Sequence, residues 1–318
     1  MKKILLILMF LSSLFALTNF QYQKQLGLGI DTNWILFPKE MKYYSSQVPK
    51  DFKEKGFDTI RLRFDFYTKK HNEIVKRKLS EKEYIIKIKK VVKDCLDNHL
   101  NVVLANGAAD FKYYANKKSE NILLKHWELI AKEFKNYPYA LSYDLIIEPG
   151  KNLSKYKLKN NWILNDFYKK AYEKIRRIDI KRIIIWAPNR LSNPLYLPKT
   201  WYPKNDKYIM AEWHMYAAGP KKDYKKMIPK KIKFANKWSQ KHHIPTWVGA
   251  WMPGNYNYGD TYSINEQIKF SKFMIDTLKK YNIPFAINAD QKFYNIKSKK
   301  FEYRLNILNA IIEEWNNN

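Results

Sequence analysis

Short apolar runs alternate with longer amphipathic stretches along almost the whole chain. The runs fall at residues 26–30, 57–64, 100–106, 141–148, 182–187, 208–214, 245–251 and 284–290. Each is five to eight residues long and dense in Ile, Val, Leu or aromatics. That is the signature of parallel strands buried on both faces. Helical periodicity fills the gaps between them. Over residues 121–134, Ile122, Leu123, Leu124, Trp127, Ile130, Ala131 and Phe134 share one face, and Lys125, Glu128, Lys132 and Glu133 take the other. Ser80 with Glu83, and Ser263 with Glu266, have the spacing of capping boxes that start helices. A last helix is expected over residues 303–315. The pattern predicts eight βα units, the count of a single-domain (β/α)8 TIM barrel, over residues 17–318. A doubly wound open sheet is disfavoured because no Gly-x-Gly-x-x-Gly follows the first run.

Residues 1–16 read differently. Lys2 and Lys3 precede an apolar run at residues 4–10 and a small-residue exit at Ser12, Ser13 and Ala16. This order predicts a secretory signal peptide and export to a periplasm or the medium. The apolar run is too short for a comfortable membrane span of about 20 residues. Cys95 is the single cysteine, so no internal disulfide can form, and its place in a helical apolar pattern suits a core residue.

The formal charge of +29 raises the question of a polyanionic partner. Only eight of the 59 basic residues are arginine, the side chain best suited to bidentate phosphate recognition, and the lysines spread over every helix. No nucleic-acid partner and no stable membrane span are expected; an acidic polysaccharide remains compatible with the charge. No metal cluster, Walker loop or Ser-His-Asp order is evident, so no cofactor is expected.

In a (β/α)8 barrel the chemistry sits at the carboxyl ends of the strands. Those ends are polar and aromatic here: Arg61, Arg63 and Asp65 on the second, Asn106 on the third with Asp110 beyond, Glu148 on the fourth. His214 and Tyr216 follow on the sixth, and Asn288 and Asp290 on the eighth. Trp186, Trp213, Trp247 and Trp251 near strand ends have the flat apolar faces that stack on sugars, although strand alternation must turn some of them outward.

Three segments together resemble glycoside hydrolase family 5, the cellulase-like retaining barrels. Gly56-Phe57-Asp58-Thr59-Ile60-Arg61-Leu62 is similar to the strand that carries the family's active-site arginine. Tyr143-Asp144-Leu145-Ile146-Ile147-Glu148-Pro149 resembles the acid/base strand, and Trp213-His214-Met215-Tyr216 its His-x-Tyr. The resemblance implies a glycoside hydrolase or transglycosylase acting on a poly- or oligosaccharide. Its catalytic group would be Glu148, His214, Tyr216 and Arg61, and its sugar contacts Asn106, Asp110, Trp186, Trp251, Asn288 and Asp290. The chain departs from the pattern in four places. Ile147 stands where the family has asparagine, and the histidine after the third strand is missing from Asn106-Gly107-Ala108-Ala109. Ala250 replaces the nucleophilic carboxylate on the seventh strand, and Asn288-Ala289-Asp290-Gln291 replaces an aromatic platform. Glycosidases normally work with two carboxyl groups. Asp290, Asp260, Asp110 and Glu212 are therefore the candidates for the second. The competing readings are a catalytically inactive carbohydrate-binding barrel and, more remotely, a polyanion-binding envelope protein.

Overall fold

The computed structural model describes residues 16–66, 79–150, 153, 161–216, 224–254, 256 and 259–317. All but the last residue of the expected signal peptide lies outside them. Eight parallel strands close a barrel in chain order: β1 (Leu28–Thr32), β2 (Thr59–Phe64), β3 (Asn101–Asn106), β4 (Leu141–Asp144), β5 (Ile184–Trp186), β6 (Ile209–Met215), β7 (Thr246–Trp251) and β8 (Phe285–Ile287). The (β/α)8 architecture anticipated from the alternation is therefore present.

Around the barrel stand α2 (Gln47–Lys55), α3 (Glu81–Asp97), α5 (Lys117–Phe134), α6 (Trp162–Arg176), α7 (Tyr224–His242), α8 (Ile264–Lys279) and α9 (Leu305–Asn316). Before β1, α1 (Asn19–Leu26) closes the amino-terminal end of the barrel, where Tyr22 donates to Ser142 Oγ at 2.9 Å. A short α4 (Ala109–Tyr114) follows β3. Ser80 and Ser263 cap α3 and α8, each accepting from the backbone N–H of the glutamate three residues on. After β5 the expected long helix is missing. Pro188, Pro194 and Pro198 interrupt the segment, each removing a backbone donor, so only a turn at Asn189–Ser192, with Arg190 and Leu191 left-handed, and a 3-10 turn at Pro194–Lys199 form. Among the described residues no helix is long and apolar enough to cross a membrane.

Strand alternation sorts the side chains into two cores. Ile60, Leu62, Leu104, Tyr143, Ile184, Trp213, Val248 and Phe285 face outward and pack against the helices. Tyr22, Leu26, Val103, Ile183, Ile185, Met210, Trp247 and Ala286 fill the lower lumen. Above this apolar plug the inward positions turn polar, with Asp31, Arg61, Asp144 and Glu212 all fully buried.

Two irregularities shape the upper end. The fourth strand ends at Asp144, four residues earlier than its apolar run suggested. The chain stays tethered by Ile147 N–H donating to Asn106 O at 2.9 Å, and Glu148 then adopts a left-handed φ of 50°. Between β6 and β7 the register jumps from Trp213↔Val248 to His214↔Ala250, leaving Gly249 as the extra residue of a bulge.

Candidate active site

The middle layer of the lumen is built around one guanidinium. Arg61 contacts Asp144 Oδ2 at 2.5 Å, Glu212 Oε2 at 2.6 Å and Asp31 Oδ1 at 3.2 Å, and all four side chains are fully buried. Asp31 has a second cation in Arg63, but Asp144 and Glu212 crowd the same guanidinium in a dry interior, where the two do not both stay ionised. Burial, then the neighbouring charge of Glu212, push Asp144 up to about 8 despite Arg61, so this carboxyl carries a proton at neutral pH. Glu212 moves the other way. Burial raises it, but Arg61 and His214 outweigh that and hold it ionised. Arg61 therefore donates to protonated Asp144 and neutralises ionised Glu212, with Asp31 beside it, and no pairing with Glu148 is present.

Above this layer, His214 connects the buried charges to the cleft. Its Nδ1 lies 2.8 Å from Glu148 Oε1, and its Nε2 lies 3.4 Å from Glu212 Oε2. The second contact is an ion pair lacking hydrogen-bond alignment. Burial alone would pull the imidazole down; Glu212 and Glu148 together hold it up at about 9. From sequence, Glu148 is expected to titrate above an ordinary glutamate unless Arg61 lies close enough to reverse the sign; the sign is reversed, but by other cations. Burial does push it up, but the hydrogen bond and charge of His214, then Lys112 and Arg63, bring it down to about 2. At neutral pH the pair is an imidazolium beside a carboxylate. The His214 side chain is 2 % exposed and that of Glu148 31 %, so Glu148 is the member that meets the cleft.

The floor beside this pair is a polar chain. Arg63 donates to Asn288 Oδ1 at 2.7 Å and also pairs with Asp31, while Asn288 Nδ2 donates to the Tyr216 hydroxyl at 3.3 Å. Tyr216 stands edge-on to His214, its ring centroid 5.9 Å away, and burial, then Glu148, push its hydroxyl well up. Lys112 on α4 donates to Ile147 O at 2.7 Å, and burial pulls its ammonium down. Asn106 accepts from Ala108 N–H at 2.8 Å and leaves its amide nitrogen buried without a protein acceptor. Asp110 is half-buried on α4, whose first backbone N–H is held by Asp65 at 3.0 Å.

Several expected roles do not survive this geometry. Trp186 faces outward among Tyr168, Tyr172 and Trp201, and Trp251 outward against Phe270 and Phe285; both are buried, so neither can stack on a sugar in the lumen. Strand parity is the reason, since inward and outward positions alternate. Trp247 does point inward but belongs to the apolar plug beneath the carboxylates. Asp260, in the loop after β7, is tied to Arg304 at the start of α9. Asp290 is 2 % exposed and accepts from Trp34 Nε1 at 2.8 Å, with burial and then Glu40 pushing it up to about 7. Glu212 is sealed beneath His214. Ala250 is fully buried and aligned with inward-facing His214.

Sequence reasoning did not assign Asp31, Lys112 or Gly249 to the site. Gly249 had a readable signal, because a glycine inside a strand marks a bulge or a close approach. A Cβ there would overlap the Glu212 carboxylate and come within 3.1 Å of His214 Nε2.

At the carboxyl end of the closed (β/α)8 barrel, then, part-exposed Glu148 stands beside His214 and Tyr216. The cellulase family (glycosyl hydrolase family 5) matches residues 24–289, and the chain belongs to that family. Similar solved structures include Thermotoga maritima Cel5A in complex with mannotriose, at 20 % identity and a TM-score of 0.77, covering 92 % of this chain and 99 % of that one. A broad-specificity endoglucanase from Clostridium cellulovorans has 17 % identity and a TM-score of 0.77, covering 96 % and 98 %. The cellulose synthase subunit Z of Clostridioides difficile has 21 % identity and a TM-score of 0.73, covering 91 % and 100 %. At these identities the likeness is one of fold. No curated protein sequence matches the chain.

Proposed function

We propose that the chain is an exported glycoside hydrolase or transglycosylase acting on O-glycosidic bonds of a poly- or oligosaccharide, with Glu148 as its acid/base. The observation that carries this reading is the Glu148–His214 pair at the carboxyl end of the barrel, with Glu148 half-exposed toward the cleft. The pair holds one proton. As the bond from the anomeric carbon to the leaving oxygen breaks, that proton passes through Glu148 to the leaving oxygen. Water, or an acceptor hydroxyl, bonds to the anomeric carbon and returns its proton to the pair, so the catalyst is regenerated. Arg63, Lys112 and His214 surround Glu148 with positive charge, which favours an acidic glycan over a neutral one. Export rests on the leader pattern of residues 1–16.

Ala250 favours a second reading, a barrel that holds glycan without turning it over. Among the described residues, the candidates Glu212 and Asp290 are buried and Asp260 is held by Arg304, so none of these three stands free in its place. Glu148→Gln separates the two. The hydrolase reading expects glycan binding to persist while release of new reducing ends falls about 10²–10⁴-fold, the usual contribution of a positioned acid/base. Turnover equal to wild type would remove Glu148 from the role.

A further inference from the structure

Resting on the acid/base reading of the Glu148–His214 pair, we propose that Glu212 is a positioning residue that keeps the site's proton on His214, and that Gly249 exists to make room for it. Glu212 thereby supplies, one layer deeper and on the neighbouring strand, the second acidic charge that position 250 lacks.

The geometry comes from three strands. Glu212 on β6 is fully buried, so little water screens its charge, and it contacts two cations: Arg61 Nη2 at 2.6 Å and His214 Nε2 at 3.4 Å. β7 leaves the space. The bulge places Gly249 against the Glu212 carboxylate, where any side chain would collide with it. On β4, Asp144 shares the same guanidinium and keeps the proton that it and Glu212 cannot both release. Glu212 is then the carboxylate left ionised next to the imidazole. The groups facing His214 are Glu148 beyond β4, Asp144 on β4, Glu212 and Tyr216 on its own strand, and Arg61 on β2. Lys112 and Arg63 lie beyond Glu148, Gly249 on β7 is uncharged, and Asn288 on β8 is neutral.

In a low-dielectric lumen a carboxylate on each side of one imidazole favours the doubly protonated ring. Because Nε2 is turned toward Glu212, Nδ1–H is directed at Glu148, which fixes where the proton is delivered. A carboxylate at position 250 would act on Glu148 directly; Glu212 acts through the histidine.

The test is a ¹⁵N NMR titration of His214, which needs no turnover and so stands or falls separately from the hydrolase reading. The wild-type ring is expected to titrate near 9. In Glu212→Gln the midpoint is expected to drop by at least one pH unit, and Glu212→Asp should recover part of the drop. Gly249→Ala, which displaces the carboxylate and leaves it in the chain, is expected to lower the midpoint in the same direction. Should Glu212→Gln fail to fold, Gly249→Ala gives the reading. A wild-type midpoint at or below about 6.5, the ordinary histidine value, would overturn the proposal. So would an unchanged midpoint in either folded variant.

Discussion

At the scale of single residues, the proposed chemistry turns on how Glu148 behaves when position 250 holds alanine. With no negative charge at position 250, nothing stands against Glu148 to keep it protonated, and the cations around it draw it down to about 2. Ala250→Glu would restore such a charge on the backbone position aligned with His214. A like charge across the cleft raises the partner's titration, so Glu148 is expected to move up by at least one pH unit, readable by ¹³C NMR of its carboxyl. If the cleft retains the ancestral geometry, turnover rises together with that shift. An unshifted Glu148 in the folded variant would mean that position 250 does not face it. That Glu148, His214, Tyr216 and Arg61 gather at one end of the barrel was legible from motif order. Which carboxyl groups Arg61 contacts was not, because Asp31, Asp144 and Glu212 lie on different strands and only barrel closure brings them together. The sign of the Glu148 shift was hidden for the same reason: it depends on His214, Lys112 and Arg63, which are far away in sequence.

At the scale of elements, strand parity decides which aromatic groups are free to meet a ligand. Trp251 lies between Phe270 and Phe285, at centroid distances of 6.0 and 5.5 Å, and is fully buried. Trp251→Ala should therefore cost about 3–5 kcal/mol of stability, measured by urea denaturation, while the folded fraction binds glycan with unchanged affinity. Lost affinity at unchanged stability would return Trp251 to the cleft. The sequence placed each strand to within a few residues, since apolar runs bounded by turns are a strong signal. It overran β4, where the run continues through Leu145–Ile147 although the ladder stops at Asp144. It also missed the bulge in β7, because a register shift is a property of two strands and periodicity reads only one. The helix missing after β5 could have been foreseen from Pro188, Pro194 and Pro198.

At the scale of the whole molecule, the buried polar layer ties stability to pH. His214 is raised to about 9 in the folded state, so its contribution is complete below about 6.5, its ordinary value, and disappears as pH rises through 9. Asp144, at about 8, adds a loss in the same direction. Glu148 is depressed to about 2, so its contribution is present above about 4.3 and disappears as pH falls through 2. Calorimetry in high salt, which screens the surface lysines, is expected to show Tm falling between pH 6.5 and 9. A flat or rising Tm over that interval would contradict the charge assignments in the lumen. The barrel itself was legible because eight alternations of short and long periodicity leave few other topologies.

The central claim is that this barrel turns glycan over with no carboxylate at position 250 to partner Glu148. The most direct measurement is to incubate wild-type protein with neutral and acidic β-glycans and to count new reducing ends against bound chain. Reducing ends that keep accumulating well beyond one per protein molecule, faster on the acidic glycans, are the result expected. Saturable binding with no new reducing ends on any of them would contradict it and leave the family's fold serving as a glycan-holding barrel.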